Sequence, residues 1–401
     1  MNEKFIARQP IFDARLKVYA YELLFRGGPQ NFYQPRANAS SSVIADSITL
    51  FDLDQLVGHA RAFINADELA LRLGAVRLLP PERIVVEILE SVPPTEEIVS
   101  ICRELRAAGY LLALDDFVDS PQIQPLVELA NFLKIDFQQF DRDECRELTQ
   151  KHNRKDLFLL AEKLETRADL DDARHMGCTY FQGYFFCKPS MVETREIPGN
   201  KLIQLQLLSA VSAPEMDYLQ IELLLQQEPS LLYRLLRYLN SPALGLRSEV
   251  TSIRHAITLL GTDEFRRWAS IFALISMGNG HPPELLRTAL TRAFFCEELS
   301  NAAGLSDKSP RLFLMGLLSI SDALLDKPMK EVLNSVPVTE DVKTALSGGD
   351  NRLRDVFEMV LALERAEWPK LSSCSEKLGC AEENVPHSYQ AAIKKAAAVQ
   401  A

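Results

Sequence analysis

An α/β first half followed by an all-helical second half is the architecture the sequence predicts, and three observations predict it. Short β-type runs alternate with helix-like stretches as far as about residue 186, as parallel strands joined by helical crossovers require. Past Lys188-Pro189-Ser190 and Glu196-Ile197-Pro198-Gly199-Asn200 nothing reads as a strand, and Leu/Ala-rich helical periodicity takes over. The 401 residues also suffice for two domains or three, each with its own core.

In chain order, the expected strands are Val18–Leu24, Ala62–Asn65, Ile84–Leu89, Leu111–Asp115, Phe132–Ile135, Leu157–Ala161 and Tyr180–Phe186. Helix-like stretches at Ser42–Phe51, Thr95–Ala108 and Pro121–Leu129 separate some of them. Seven strands of this kind make a barrel or an open α/β sheet. The second half predicts helices at Leu202–Val211, Tyr218–Gln226, Ser230–Leu239, Ile253–Leu260, Thr262–Ser276, Leu285–Ala302, Arg311–Leu325, Met329–Asn334 and Asn351–Arg365, with a frayed helix past about 385. Breaks at Ser241-Pro242, at 278–283 and at 347–350 fit the turns of a bundle. The expected domains are residues 1–195 and 200–390.

Composition narrows the function. With 47% hydrophobic and 25% charged residues this is globular material, and 44 Lys+Arg against 55 Asp+Glu, a formal net charge of −11, argues against a protein that grips a nucleic-acid polymer by its phosphates. The longest apolar runs, such as Ile271 to Met277, are far too short to cross a bilayer, so no membrane insertion is expected. Met1 to Pro10 carries charges and no secretory apolar stretch, which makes the cytoplasm the expected compartment. The seven cysteines form no CxxC pair and the six histidines no HExxH, so reduced thiols are expected and zinc is not. A metal site here would be built from carboxylates and would suit Mg²⁺ or Mn²⁺.

Chemistry in α/β barrels gathers at the carboxyl ends of the strands, and those ends are acidic here. They carry Glu22 with Arg26 after it, Asn65, Glu87 and Glu90, Asp115-Asp116, Lys134 and Asp136, Glu162 and Glu165, and Gln182. If the strands are parallel, Glu22, Asn65, Glu87 and Asp115 project towards one point and can hold one or two divalent cations. Paired cations suit phosphodiester hydrolysis, since one acidifies the attacking water and the other stabilises the leaving oxygen. A nearby lysine could hold or polarise that water and a further carboxylate could take its proton, for which Lys134 and Glu162 are the candidates. Singly, each of these is equally an ordinary solvent-facing acid; it is their recurrence at most strand ends that carries the argument.

At these residues the sequence resembles the EAL-domain family of cyclic di-GMP phosphodiesterases, in the variety coupled to an HDOD domain. Glu22-Leu23-Leu24 stands at the family's Glu-Ala-Leu signature, and Ala7-Arg8-Gln9-Pro10-Ile11-Phe12-Asp13 is similar to that variety's start. The resemblance spans about residues 4 to 190. It implies a TIM-like barrel that hydrolyses cyclic di-GMP to linear pGpG with Mg²⁺ or Mn²⁺, lowering the messenger and so favouring motility over biofilm. It implies Glu22, Asn65, Glu87, Asp115 and Asp116 as metal-site residues, Lys134 as the water-contacting lysine and Glu162 as general base. Glu90 anchors the metal-proximal loop in that scheme, and Arg26 and Gln182 contact substrate.

The chain departs from the family pattern in three places. Val118 replaces the glycine of Asp-Asp-Phe-Gly in a loop tied to metal binding and to a possible homodimer, Lys163 that of Glu-Gly-Val-Glu-Thr, and Leu23 the signature alanine. These departures define the alternative expectation, a catalytically degenerate barrel that binds cyclic di-GMP or a protein with output through the second domain.

Glu228-Pro229-Ser230-Leu231-Leu232, Leu239-Asn240-Ser241-Pro242, the run from Ile253 to Gly261 and the run from Gly316 to Leu325 resemble an HDOD domain, a helical relative of HD phosphohydrolases. With only His255, His281 and His387 in this half and no His-Asp dyad, the resemblance implies a regulatory module with an unknown protein partner. The basic stretch Arg234, Arg237, Arg247, Arg254, Arg266 and Arg267 reads either as a nucleotide contact or as a solvated helix face.

Overall fold

The computed structural model describes residues 4–27, 53–188, 199–213, 215–227, 255, 258, 260–278, 281–336 and 338–400. The side chain of Arg26, the helices expected at 42–51 and 230–239, most of that at 253–260, the first two HDOD motifs and four of the six arginines of the basic stretch lie outside them.

Eight strands close a barrel in sequence order: β1 (Lys4–Asp13), β2 (Val18–Gly27), β3 (Arg61–Ala66), β4 (Ile84–Ile88), β5 (Leu111–Leu114), β6 (Phe132–Asp136), β7 (Phe158–Leu164) and β8 (Tyr180–Gly183). Seven of these match expected strands; β1 does not. It runs antiparallel to both neighbours, β2 and β8, whereas β2 through β8 are parallel. Lys4, Arg8, Gln9 and Pro10 break its apolar pattern, and the ladder to β8 begins only at Ile11, one residue past the proline.

The barrel interior follows from the two-residue period of strands. One inward side chain from each of seven strands forms a single buried layer: Ile11, Ala20, Phe63, Val85, Ala113, Phe132 and Leu160. Phe132 is its hub, with ring centroids of Tyr19, Phe63, Phe158 and Tyr180 at 6.0, 5.3, 5.5 and 5.2 Å. Fully burying one such aromatic contributes about 1.5–3 kcal/mol, so this layer is a stabilising floor. The next inward position on each strand, two residues nearer the barrel mouth, is polar.

Beyond β8 the described residues contain helices and no strand. Long ones at Thr262–Met277, Pro283–Ala302 and Arg352–Glu364 match expected helices, and Asn384–Gln400 is a formed helix. The stretch expected as one helix from Arg311 to Leu325 is two, Ser309–Leu318 and Ser321–Leu325, broken where the Ser319 hydroxyl donates to the Gly316 carbonyl at 2.7 Å. Arg267 belongs to a packed helix face: it pairs with Glu264 at 3.2 Å and lies over the Phe313 ring.

By Cα proximity the chain falls into two units. One is Met1–Phe186 together with Ala362–Ser372; the other is Cys187–Leu361 with Ser373–Ala401. The linear boundaries expected at 195 and 200 place residues 362–372 in the helical half, but these residues group with the barrel. Trp368 meets the Phe5 ring edge-on at 6.4 Å, and the Gln9 amide donates to the Glu364 carbonyl at 3.3 Å.

Candidate functional site

Stepping two residues from each member of the buried layer gives Glu22 on β2, Asn65 on β3, Glu87 on β4, Asp115 at the end of β5, Lys134 on β6 and Glu162 on β7. From Tyr180, which packs against that layer, the same step gives Gln182 on β8. On antiparallel β1 it runs the other way, from Ile11 to Gln9. All eight strands therefore send one polar side chain into one layer above the aromatic floor.

Lys134 organises that layer. Its ammonium, 1% exposed, lies 2.7 Å from Glu162 Oε1, 2.8 Å from Asp115 Oδ1 and 3.3 Å from Glu22 Oε2, and it also pairs with Glu87. Glu22 further accepts from Gln182 Nε2 at 2.7 Å and from Asn65 Nδ2 at 3.4 Å. Burial would raise the Glu22 carboxyl, but Lys134 and these amide bonds outweigh it and hold the group below its ordinary value. The same neighbours act differently elsewhere. Burial, then the carboxylates of Glu162, Glu22, Asp116 and Glu90, push Asp115 up to about 9. Burial also lifts Glu162 to about 7 against the pull of Lys134, with Glu22 and Asp116 adding to the rise. The lysine is held above its ordinary value, because Glu162 and Glu22 outweigh the burial that would lower it.

One ammonium among four carboxylates leaves the layer short of positive charge, and the donor set says what would complete it. Ligand oxygens of Glu22, Glu87 and Glu162 lie within 4.8 Å of one another, as do those of Glu90, Asp115 and Asp116. Asn65 Oδ1 and Glu87 Oε2 are buried with no hydrogen-bond partner, a state that costs about 1–3 kcal/mol per group unless something accepts their lone pairs. Two neighbouring all-oxygen sets with orphaned buried oxygens fit hard divalent cations.

The local sequence explains how two of these carboxylates are aimed. Asp116 stands at φ 37°, directly after β5, where Asp115 N still ladders to Ile88 O at 3.0 Å. In β7 the register shifts between Ala161 and Leu164, and Lys163 sits at φ 55°. That bulge turns Glu162 inward and Lys163 outward. It also explains why a glycine would suit position 163, since a side chain in the left-handed region costs about 1 kcal/mol. The bulge is clamped by Gly183 on β8, where an added Cβ would meet the Leu164 carbonyl oxygen at 2.2 Å. Thr166, the last residue of the Glu-x-x-Glu-Thr stretch, caps the next helix by accepting from Asp169 N at 3.1 Å.

Sequence reasoning missed Gln9, the role of Lys163, and the turn at 365–367. Gln9 Oε1 accepts from Gln182 Nε2 at 3.1 Å, closing the polar ring across β1. Lys163 pairs with Asp136 and approaches Asp116 Oδ1 at 3.5 Å. An open cleft of about 410 Å³ above the ring is lined by Glu22, Asp115, Asp116, Lys134, Glu162 and Gln182, and also by Tyr184, Arg365 and Glu367. Only the identity of β1 would have exposed Gln9, and nothing local marks residues 365–367. Arg26 lies on β2 opposite Phe5, with its side chain outside the described residues.

Comparison with known proteins places this geometry in context. A family model for the EAL domain matches residues 64–189, and one for the HDOD domain matches residues 197–337. The chain is 34% identical over 393 residues to the cyclic di-GMP phosphodiesterase CdgJ of Vibrio cholerae serotype O1, covering 96% of this chain and 90% of that protein. It is 32% identical over 382 residues to the uncharacterized protein YuxH of Bacillus subtilis, covering 93% and 92% respectively. Among solved structures it is similar to the Bacillus subtilis YkuI protein, which has an EAL domain and was determined with cyclic di-GMP and calcium. That likeness is 19% identical, covers 65% of this chain and 73% of the other, and has a TM-score of 0.39.

Proposed function

This chain belongs to the EAL–HDOD family, and from that premise we propose that its barrel hydrolyses cyclic di-GMP to linear pGpG at the polar ring. The observation that carries the reading is the convergence of four carboxylates on Lys134 beside orphaned oxygens of Asn65 and Glu87. Divalent cations held by Glu22, Asn65, Glu87, Asp115 and Asp116 would acidify a water and neutralise the phosphodiester under attack. Glu162, raised towards neutrality by burial, accepts the proton of that water, since a base works best with a pKa near the working pH. Lys134 orients the water and Glu162 together, as it already contacts the carboxylate at 2.7 Å. Gln182 and Arg26 bind the dinucleotide, while Glu90 ties the loop after β4 to Asp115 and Asp116.

Despite Val118 in this loop, Asp115 and Asp116 still group with Glu90, and that grouping favours an active enzyme over a degenerate barrel. The all-oxygen donor set favours Mg²⁺ or Mn²⁺. The helical half acts as a regulatory module that binds a protein partner; among the described residues no cluster of potential metal ligands falls within it. No described helix is long and apolar enough to cross a membrane; the cytoplasm as the chain's compartment is part of the proposal. A homodimer through the barrel and an effect on motility and biofilm complete the proposal.

The test is to incubate purified protein with cyclic di-GMP and Mg²⁺ or Mn²⁺ and follow pGpG by chromatography. Product well above a Glu22→Ala control is expected. Equal product in the two would sink the enzymatic reading.

A further inference from the structure

Residues 362–372 group with the barrel although they follow the region matched by the HDOD model, and neither family model assigns them a role. They form a rigid turn. Ala366 stands at φ 55°, with Ala366 N donating to Leu363 O at 3.0 Å and Glu367 N to Ala362 O at 2.8 Å, the pattern that closes a helix end in the left-handed conformation. Trp368 against Phe5 and the Gln9–Glu364 bond anchor the turn to β1. Through Gln9 and then Gln182 it is tied by successive hydrogen bonds to the carboxylate of Glu22. The turn presents Arg365 to the cleft, its guanidinium over the Tyr184 ring at 5.4 Å and only loosely paired with Glu367 at 3.7 Å.

We propose that Arg365 is a substrate-binding residue that contacts the phosphodiester of cyclic di-GMP which is not being cleaved. This rests on the proposed reaction and extends it to a residue outside both matched domains. Cyclic di-GMP carries two phosphodiester anions, and the cations at the ring serve the one under attack. Among the described residues along the cleft, acids outnumber bases six to three, so besides Arg26, whose side chain lies outside them, the second anion calls for a positive group at the cleft. Lys134 is buried and committed to four carboxylates, and Lys163 is committed to Asp136 and Asp116. Arg365 is half exposed, with its guanidinium carbon over the Tyr184 ring at 5.4 Å and a single carboxylate, that of Glu367, at 3.7 Å. Stacking of this kind leaves the edge of the guanidinium available for the bidentate bonds that suit phosphate oxygens.

The experiment uses the full chain, with turnover measured for wild type, Arg365→Ala and Arg365→Lys, and cyclic di-GMP affinity measured by calorimetry in a Glu162→Gln background. Arg365→Ala should raise KM and Kd at least tenfold while kcat falls less than about threefold, and Arg365→Lys should recover part of the affinity. Raising salt should weaken binding to wild type more than to Arg365→Ala, because screening acts on the charge–charge contact that the variant lacks. Affinity within twofold of wild type overturns the proposal. A tenfold loss with unchanged salt dependence overturns the phosphate assignment, since the contact is then with an uncharged base edge. A loss shared equally by kcat, with a fall of several degrees in melting temperature, overturns it by showing the turn to be structural. If wild-type protein makes no pGpG, the reaction fails, while the calorimetric arm still decides Arg365.

Discussion

Lys134→Met is the sharpest perturbation of the polar ring, because it keeps the side-chain length and removes the one positive charge at its centre. At an effective dielectric near 20, the contacts to ionised Glu162 at 2.7 Å and Glu22 at 3.3 Å each carry about 5–6 kcal/mol of attraction. Desolvation of a group only 1% exposed offsets most of this. What remains is the cost of leaving buried carboxylates without their cation, about 3–5 kcal/mol. For a unit of about 200 residues, 1 kcal/mol moves the midpoint by about 2–4 °C, so the barrel should melt about 6–20 °C lower. The sign with pH follows from Glu22, whose carboxyl Lys134 holds below its ordinary value. Without the ammonium, burial and its acidic neighbours raise it instead. A carboxyl with a folded pKa above its unfolded one contributes stability at low pH that is lost as pH rises through the folded value. The deficit should therefore be small at pH 5, largest at pH 8, and reduced by Mg²⁺, which supplies the missing charge. Trp368 groups with the barrel and Trp268 with the helical unit, so fluorescence melting in a Trp268→Phe background reports the barrel transition. A midpoint within 2 °C of the parent at pH 8 in EDTA would refute the account of Lys134.

Glu162→Gln should cut kcat by about 10²–10⁴-fold while cyclic di-GMP still binds within threefold, by turnover and calorimetry; undiminished turnover removes Glu162 as the base. In metal-free wild type, Asp115 raised to about 9 and Glu162 to about 7 confer stability at low pH that is lost as pH rises through those values. The barrel midpoint in EDTA should fall between pH 6 and 9, and Mg²⁺ should raise it more at pH 8.5 than at pH 6; a flat profile contradicts the assigned directions. Lys163→Gly removes a positive charge paired with Asp116 at 3.5 Å, an attraction of about 1 kcal/mol in a water-screened position that a cation on Asp116 would otherwise have to displace, so calorimetry should show divalent affinity rising about fivefold. Unchanged affinity would detach Lys163 from the metal site.

How much of this was legible in the sequence depends on how local each feature is. The alternation of strand and helix is local, and so is the polar residue two places past an inward apolar one, which marks Glu22, Asn65, Glu87, Lys134, Glu162 and Gln182 without structural help. Strand β1 was not legible, because its apolar residues are interrupted by Arg8, Gln9 and Pro10 and its role depends on pairing with β8, far away in the chain. Losing β1 loses Gln9, and with it the eighth member of the ring. At the split of Arg311–Leu325 the hydroxyls of Ser319 and Ser321 both bond back to preceding carbonyls, which periodicity does not register. Arg365 is harder still. Its side chain looks like any solvated arginine past a helix end, and only the docking of Trp368 on Phe5 brings it to the cleft.

These features share one electrostatic logic. A net charge of −11 argues against binding phosphate polymers, and the ring concentrates that negative charge where an anion must be held. The conflict resolves only if positive charge arrives in separable forms. Lys134 is permanent and pairs within the ring, divalent cations held by the remaining carboxylates would supply charge for the reacting phosphate, and on our proposal Arg365 stands apart from both for the other phosphate. A ring fully neutralised by built-in lysines would fold more readily but would offer a water no acidifying cation. On the proposed reading, the orphaned oxygens of Asn65 and Glu87 are the groups a bound cation would satisfy, and leaving them unpaired keeps the site dependent on that cation.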